Sequence, residues 1–409
     1  MNYDKALIKL NALNNLGTRL GLNSMRQLMA VLNDVQDSLE IVHVGGTNGK
    51  GSIICYLEAI AMQEGVKCGA YTSPALIDFK ENIRVNGEII DEAAAVKLLS
   101  KIFDACDKIV QGGSVHPTRF EVETALAFLH FYNEGCKIVF LEVGLGGALD
   151  ATNIIKSPRL IVFASMGIDH IKEFGDSIET VTRAECGILK EGSTVICGMK
   201  NKDAAPIVRD LVAKRGCILK AAAYYALPLR CAANWAGINA ATARTAAEVL
   251  GYSASSINRG LALADWFGRY SIVSEHPTVI LDGAHNVPAM QRLMASLVSN
   301  YPSSKFIFIV GIAKDKQAKQ MLAVIAPLAS KIITLGDSIN CRLYKATELA
   351  QIVAADATAA SIVAATSYAQ AAKLAQEGSL ENDVIIACGS LSILKGVEGA
   401  MKKLFMLKS

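Results

Sequence analysis

Short apolar runs alternate with helical patterns along nearly the whole chain, and this alternation limits the folds open to it. The run "SLEIVHV" is typical of a strand, and Ile53, Leu57 and Ile60 then recur at helical spacing. Gly65 is placed to end that helix, and "VKCGAY" is the next strand. A strand, a helix and a strand in this order form a βαβ unit, which predicts a parallel sheet with helices on both faces.

The alternation occurs in two series. The first continues with strands predicted at 137–143, 159–165 and 193–198. The second series is predicted at 278–284, 305–311, 331–336, 360–366 and 383–389. Alanine-rich stretches at 221–248 and 349–376 favour packed helices.

Two domains are the expectation for 409 residues, because this length exceeds one ordinary core. We predict an α/β protein. Its N-terminal domain, residues 1–268, is a parallel-sheet domain that contains a phosphate-binding loop (P-loop). Its C-terminal domain, residues 269–409, is a smaller Rossmann-like α/β domain, and the link between them lies near residues 264–271.

Composition argues against several classes of protein. The formal net charge is only +3 and Lys and Arg form no long run, so a basic surface for nucleic acid is not predicted. Uninterrupted apolar runs stay below the roughly 18 residues that a membrane helix needs. The ten cysteines form no CxxC pair. We expect reduced thiols in a cytoplasmic protein, with neither nucleic acid nor membrane as a partner.

The segment "HVGGTNGKGS" joins the first strand to its helix. Its glycines allow a tight turn that points N–H groups at an anion, and the following helix presents its positive end there. Lys50 would supply a charge to the β- and γ-phosphates. The hydroxyl of Ser52 comes one residue later than in the common phosphate-loop pattern. The alternative is a glycine turn with an exposed lysine, but a strand before it and a helix after it favour a phosphate loop.

Acidic and histidine side chains follow other strands of the same predicted sheet. Glu142 ends a strand, where a carboxylate beside a phosphate loop is placed to hold Mg²⁺. Asp169 and His170 follow the next strand. In the second domain, "LDGAHN" offers Asp282, His285 and Asn286 in a similar way. The alternatives are a solvated glutamate and structural histidines; the shared sheet edge favours a metal site.

Several segments together resemble the folylpolyglutamate synthase/dihydrofolate synthase family, within the wider Mur ligases. They occur in the family's order and span nearly the whole chain. The matching segments include "HVGGTNGKGS", "YTSPALIDFKENIRVNGE", "RFEVETALAFLHF", "LEVGLGGALDATN", "DHIKEFGDSIETVTRAECGILKEG", "INAATARTA", "FGRYSIV", "LDGAHN" and "ACGSL".

The resemblance implies ATP and Mg²⁺ as cofactors. It implies that the nucleotide is bound by Gly46, Thr47, Asn48, Gly49, Lys50, Gly51, Ser52, Asn239, Arg269, Asp282 and His285. It implies that Mg²⁺ is bound by Ser73, Glu142 and His170. Lys50, His170 and Glu185 would be the catalytic residues.

The implied reaction is ATP-dependent amide formation. The carboxylate of a reduced folate or dihydropteroate would take the γ-phosphate, and the amine of L-glutamate would displace phosphate from the acyl phosphate. Closure of the two domains would keep water from that intermediate. We expect a monomer. Two alternatives stay open: a Mur-type ligase for another acid and amine, and a nucleotide-binding homologue without ligase activity.

The chain departs from the family pattern at several positions. The family's arginine in the glycine-rich segment is replaced by Ala148, its histidine after TSP by Ala75, and two of its prolines by Phe267 and Val287. Glu185 stands where the family has a lysine that becomes carbamoylated. We expect Glu185 to support a second Mg²⁺ through water, without carbon dioxide; the alternative is a solvated helix residue.

Overall fold

The computed structural model describes residues 1–17, 19–198, 202–224, 229–355 and 360–406. The chain forms two compact units: the first is Met1–Leu229 with Gly237–Ala264, and the second is Arg230–Ala236 with Asp265–Ser409. The second unit thus begins a few residues before the predicted boundary and includes a short segment, 230–236, that the sequence did not single out. Of the alanine-rich stretch predicted as helix at 221–248, residues 225–228 lie outside the described part of the chain.

The first unit is built on an eight-stranded sheet with the order β4-β3-β2-β5-β1-β6-β7-β8. The strands β2, β5, β1, β6, β7 and β8 are parallel, and β3 and β4 form an antiparallel extension at one edge. The strands are β1 (Ile41–Gly45), β2 (Cys68–Tyr71), β3 (Ile83–Val85), β4 (Glu88–Ile89), β5 (Ile138–Glu142), β6 (Leu160–Phe163), β7 (Thr194–Cys197) and β8 (Ile218–Ala221).

Helices cover both faces of this sheet. They are α1 (Tyr3–Ala12), α2 (Asn23–Val31), α3 (Lys50–Gln63), α4 (Glu92–Gln111), α5 (Arg119–Asn133), α6 (Ile171–Phe174), α7 (Ile178–Glu185), α8 (Ala204–Lys214), α9 (Ala236–Leu250) and α10 (Ala254–Leu263). Leu126 and Phe128 of α5 share a core with Val139 and Leu141 of β5. Alternate residues of a strand face opposite sides, so the other face of β5 is left for α3, which packs against it.

The parallel strands bring four chain segments to one edge of the sheet. β1 lies between β5 and β6, and β2 lies beyond β5. The residues that end these strands, Gly45, Tyr71, Glu142 and Phe163, therefore lie along the same carboxyl edge. The connection from β1 leads past β5 to β2, whereas the connection from β5 leads past β1 to β6. The strand order therefore reverses between β5 and β1, and such a switch point is where open α/β sheets bind ligands.

The second unit has a six-stranded sheet with the order β13-β12-β11-β14-β10-β9, in which only β9 is antiparallel to its neighbour. Its strands are β9 (Ser271–Glu275), β10 (Thr278–Leu281), β11 (Phe306–Val310), β12 (Ala329–Thr334), β13 (Ser361–Ala364) and β14 (Val384–Cys388). Its helices are α11 (Val287–Asn300), α12 (Ala318–Ile325), α13 (Ala346–Ala354), α14 (Tyr368–Gln376) and α15 (Leu394–Met406).

The predicted α/β architecture is confirmed, and each strand predicted from an apolar run is present. The strands that were not predicted, β3, β4, β8 and β9, are short and lie at or next to a sheet edge. All ten cysteines are free thiols, as expected. Among the described residues, no helix combines the length and the apolar character needed to cross a bilayer.

Candidate active site

The loop predicted to bind phosphate, residues 45–52 (the phosphate loop), connects β1 to α3 and is fixed to the segment after β6. The main-chain N–H groups of Thr47 and Asn48 donate to the carbonyl oxygen of Ser165, at 2.8 and 3.2 Å. The hydroxyl of Thr47 donates to the carbonyl of Gly167 at 2.9 Å and accepts from the Gly167 N–H at 3.0 Å. These bonds hold the loop at the carboxyl edge of the sheet.

The loop passes into α3 at Gly49, which caps the helix with a φ of 103°. A Cβ at this position would lie 2.7 Å from Oδ1 of Asn239, so only glycine fits between the loop and α9. Asn239 is buried against the loop. The structure thus brings Asn239, which was predicted to contact the nucleotide base, to the start of α3. Ser52, in the first turn of α3, is also buried.

Lys50 and Glu185 hold opposite ends of one loop residue. The Nζ of Lys50 donates to the carbonyl oxygen of Gly46 at 2.8 Å, and Oε2 of Glu185 accepts from the Gly46 N–H at 3.0 Å. Burial raises the pKa of Glu185, while Lys50 and the Gly46 N–H lower it. Glu185 is only 7% exposed. The alternative that it is a solvated helix residue is therefore wrong.

The turn that contains Glu185, residues 184–188 (the α7 turn), touches two glycine-rich segments. A Cβ on Gly147 would lie 2.7 Å from the carbonyl oxygens of both Ala184 and Glu185. A Cβ on Gly187 would overlap the backbone of Ala148. The segment after β5, residues 144–148 (the glycine loop), therefore packs backbone against backbone on the α7 turn, which requires glycine on both sides.

Two of the three predicted metal ligands are in contact. The N–H of Ser73, just after β2, donates to Oε2 of Glu142 at 3.3 Å, and Glu142 is 5% exposed. His170 lies in the loop after β6, is exposed, and donates its N–H to Oδ1 of Asp169 at 2.8 Å. Within the described ranges no three His, Cys, Asp or Glu side chains form a metal cluster. The predicted metal ligands include only two side chains of these types, Glu142 and His170, and the third ligand is the hydroxyl of Ser73.

A buried chain of hydrogen bonds, which sequence reasoning missed, joins β1 to the glycine loop. The hydroxyl of Thr152 donates to Oδ1 of Asp150 at 2.5 Å and lies 2.9 Å from Nε2 of His43. Because that hydroxyl hydrogen is used, His43 is the donor to Thr152. Asp150 also accepts from the N–H of Leu145 at 2.8 Å. The segments "HVGG" and "LDATN" contain all three side chains, but nothing in either segment alone shows that they meet.

Burial shifts the pKa values at both ends of this hydrogen-bond chain. His43 is completely buried, and burial, with a contribution from Lys190, lowers its pKa to about 3. Burial raises the pKa of Asp150, against hydrogen bonds from Thr152 and Leu145 that lower it. His43 is therefore neutral at ordinary pH, and its role is to fix β1 and the glycine loop relative to each other.

In the second unit, Asp282 organises its own surroundings. Its Oδ2 accepts from the N–H of Tyr270 at 2.9 Å and its Oδ1 from the N–H of Ala284 at 2.8 Å. Burial raises its pKa to about 6, opposed by the charge of Arg269. Asp282 thus ties the segment before β9 to the loop after β10. The half-buried side chain of Arg269 borders that loop, since a Cβ on Gly283 would lie 3.2 Å from its Nη1.

The same loop positions the remaining residues of "LDGAHN". Nδ1 of His285 lies 2.8 Å from the carbonyl oxygen of Gly283, so Nδ1 carries the hydrogen. The side chain of Asn286 caps α11 by accepting from the N–H of Ala289 at 2.9 Å. Arg269, Asp282 and His285 therefore come together at the carboxyl end of β10, within the second unit.

The departures from the family pattern lie on or beside these loops. Ala148 is exposed and Ala75 is half-buried. Phe267 lies under the Nζ of Lys395, which is 3.7 Å from the centre of its ring. Val287 is the first residue of α11. None of these substitutions interrupts a hydrogen bond of the phosphate loop or of Asp282 described above.

Comparison with known proteins identifies the family of this chain. The model of the family "Mur ligase, glutamate ligase domain" matches residues 268–391. A dihydrofolate synthase/folylpolyglutamate synthase of Bacillus subtilis is 30% identical over 348 residues, which is 77% of this chain and 81% of the relative.

Solved structures of such enzymes share the whole fold. Escherichia coli FolC in complex with DHPP and ADP has a TM-score of 0.87 at 28% identity, covering 99% of this chain and 98% of FolC. A bifunctional folylpolyglutamate synthase/dihydrofolate synthase with Mn, AMPPNP and L-glutamate bound has a TM-score of 0.82 at 29% identity and covers 98% of each chain. This chain belongs to the folylpolyglutamate synthase/dihydrofolate synthase family of Mur ligases.

Proposed function

We propose that this protein is an ATP-dependent ligase that adds L-glutamate to the carboxylate of a folate or of dihydropteroate. The observation that carries the proposal is the placement of Lys50, Ser73 and Glu142 at one carboxyl edge of a parallel sheet. An ammonium group on a phosphate loop and a buried carboxylate beside it suit the binding of a nucleoside triphosphate with a divalent metal ion. Membership of a family of glutamate ligases supports the same reaction.

We assign ATP to the phosphate loop, with Lys50 at the β- and γ-phosphates and Asn239 at the base. Arg269, Asp282 and His285 are assigned to the same nucleotide from the C-terminal domain, residues 269–409, and the ATP-binding domain is assigned to residues 1–268. Because both oxygens of Asp282 accept main-chain N–H groups, its proposed contribution is to hold Arg269 and the loop after β10 in place.

Ser73, Glu142 and His170 would hold the divalent cation. Their donor chemistry fits a hard metal, since a buried carboxylate and a hydroxyl lie on adjacent segments, with an imidazole in the next loop. Mg²⁺ bound there would offset the charge of the γ-phosphate. Mn accompanies AMPPNP in the related structure described above.

The chain's own residues then provide for two steps. Lys50 neutralises charge on the phosphoryl group as it passes to the carboxylate of the acceptor, which gives an acyl phosphate and ADP. The amine of L-glutamate attacks the acyl carbon, an amide bond forms, and phosphate leaves. Closure of the two proposed domains would keep water from the acyl phosphate. A cytoplasmic location is part of the proposal, supported by the ten free thiols, and a monomer is proposed as well.

The proposal is tested by measuring whether ADP and the glutamylated product form together. The purified protein is mixed with MgATP, labelled L-glutamate and either dihydropteroate or a reduced folate, and ADP and the glutamylated product are counted. We expect one ADP for each amide, and neither product when the acceptor is omitted. ADP formation with another acid and amine, but not with these, would favour the wider Mur-type alternative. Nucleotide binding without ADP formation from any acceptor would favour a homologue without ligase activity.

A further inference from the structure

We propose that Glu185 is a positioning residue that holds the phosphate loop in shape and keeps the ammonium group of Lys50 on the Gly46 carbonyl. The proposal rests on the proposed function, because it assigns a role within the same nucleotide site. Its basis is one peptide segment held at both ends. The carboxylate of Glu185 accepts a hydrogen bond from the N–H of Gly46 at 3.0 Å, and the Nζ of Lys50 donates one to the carbonyl oxygen of Gly46 at 2.8 Å.

The position of Glu185 is unfavourable for a carboxylate on three counts. The side chain is 7% exposed, so most of its hydration is lost. It is the last residue of α7, where the partial negative charge of the helix end repels an anion. Asp150 and Asp169 lie close enough to disfavour its charge. Lys50 and the Gly46 N–H are the groups that compensate, and both belong to the phosphate loop.

The α7 turn gives this contact a rigid support. Gly147 and Gly187 place the glycine loop and the α7 turn backbone against backbone, as described above. On the other side, a Cβ on Gly45 would lie 2.9 Å from Cδ1 of Ile188. The α7 turn is therefore wedged between the phosphate loop and the glycine loop. A side chain that starts from this turn can fix Gly46 relative to the strand end at Glu142.

A glutamine substitution can separate this role from the support of a metal through water. Only Oε2 of Glu185 accepts the Gly46 N–H, and a glutamine could offer its amide oxygen at the same place. If the hydrogen bond positions the loop, glutamine preserves much of the function. If the carboxylate supports a metal through water, glutamine removes the charge that the metal needs.

The experiment measures ADP affinity by calorimetry in EDTA, without divalent cation or acceptor, for the full-length protein and for Glu185→Ala and Glu185→Gln. We expect Glu185→Ala to weaken metal-free ADP binding about tenfold, and Glu185→Gln to weaken it less than about threefold, because it keeps an acceptor for Gly46. The Mg²⁺ concentration for half-maximal ligation should be the same in the wild type and in Glu185→Gln. Glu179→Gln, on the exposed side of the same helix, is the matched control.

Other outcomes overturn the proposal. Wild-type ADP affinity in Glu185→Ala would remove the positioning role. A raised Mg²⁺ requirement in Glu185→Gln with unchanged metal-free ADP binding would assign Glu185 to the metal instead. If Glu185→Ala does not fold, Glu185→Asp replaces it; its shorter carboxylate should fail to reach Gly46 and lose about tenfold in ADP affinity. ADP binding needs no acceptor, so a wild type that binds ADP without ligating glutamate refutes the proposed function and leaves this inference testable.

Discussion

Each unit has a buried acid beside a basic side chain, but the two acids have different partners. In the first unit, Glu185 accepts one N–H from a loop that is 139 positions away along the chain, and the positive charge of Lys50 offsets its negative charge. In the second unit, both oxygens of Asp282 accept N–H groups from segments of its own neighbourhood, at Tyr270 and Ala284. Asp282 therefore organises local structure, whereas Glu185 connects α7 to the phosphate loop.

This difference predicts that substitutions in the first unit mainly reduce activity and that substitution of Asp282 mainly reduces stability. Side chains at the phosphate loop present groups to a ligand, so their removal should reduce activity more than stability. Removal of Asp282 leaves two buried N–H groups without their acceptors, so stability should fall first and activity as a consequence.

Lys50→Ala should have the largest effect. We expect ligation to fall by about 10³-fold or more, because the positive charge that offsets the negative charge of the transferring phosphoryl group is lost. The melting temperature should fall only moderately, because the buried Glu185 loses the positive charge that offsets its own but keeps the hydrogen bond from the Gly46 N–H. The control is Lys214→Ala, an exposed lysine on α8. Near-normal ligation by a folded Lys50→Ala protein would refute the assignment of the phosphate loop.

Glu142→Gln should act through the metal. The amide oxygen can still accept the Ser73 N–H, so the fold should hold, but the negative charge is lost. We expect the Mg²⁺ concentration for half-maximal ligation to rise about 10- to 100-fold, and saturating Mg²⁺ to restore part of the activity. Glu134→Gln, an exposed glutamate after α5, is the control. An unchanged Mg²⁺ requirement would remove Glu142 from the metal site.

Asp282→Ala should lower the free energy of unfolding by about 2–5 kcal/mol, because the N–H groups of Tyr270 and Ala284 lose their acceptor inside the second unit. Chemical denaturation followed by circular dichroism measures the loss, with the exposed Asp337→Ala as the control. If Asp282→Ala abolishes ligation and leaves stability unchanged, Asp282 acts on the nucleotide directly and the contrast with Glu185 fails.

The smallest expected effect is a pH response of opposite sign in the two units. The pKa of His43 is lowered from 6.5 to about 3, so its contribution to stability is present above pH 6.5 and is lost as the pH falls towards 3. The pKa of Asp282 is raised from 3.8 to about 6, so its contribution is present below pH 3.8 and is lost as the pH rises through 6.

Hydrogen exchange, corrected for the intrinsic pH dependence of amides, can follow both. Between pH 4 and 6, protection of β1 should increase with pH and protection of β10 should decrease. Asp282→Asn should flatten the response of β10 without altering that of β1. Parallel responses in the two strands would show that other groups dominate the titration.

Much of the fold could be predicted because its signals are local. The strands at β1, β5, β6, β10, β11 and β14 are mainly apolar runs, as buried parallel strands require. The strands β3, β4 and β9 belong to antiparallel edges with short strands and partial exposure, so their sequences have no comparable signal. In the described part of residues 221–248, where packed helices were expected, Ala221 ends a strand and the helix α9 begins at Ala236, because alanine content does not mark where a helix starts.

The candidate site divides in the same way. The sequence by itself determined that Lys50 begins a helix within the phosphate loop and that Glu142 ends a strand. Strand-to-helix order and parallel pairing bring both residues to one sheet edge. Only the tertiary structure decided that Glu185 is buried on Gly46, that Gly147 meets the α7 turn, and that Asp282 faces main-chain N–H groups. Periodicity is written in neighbouring residues, whereas these contacts depend on how separate elements pack, which no local pattern records.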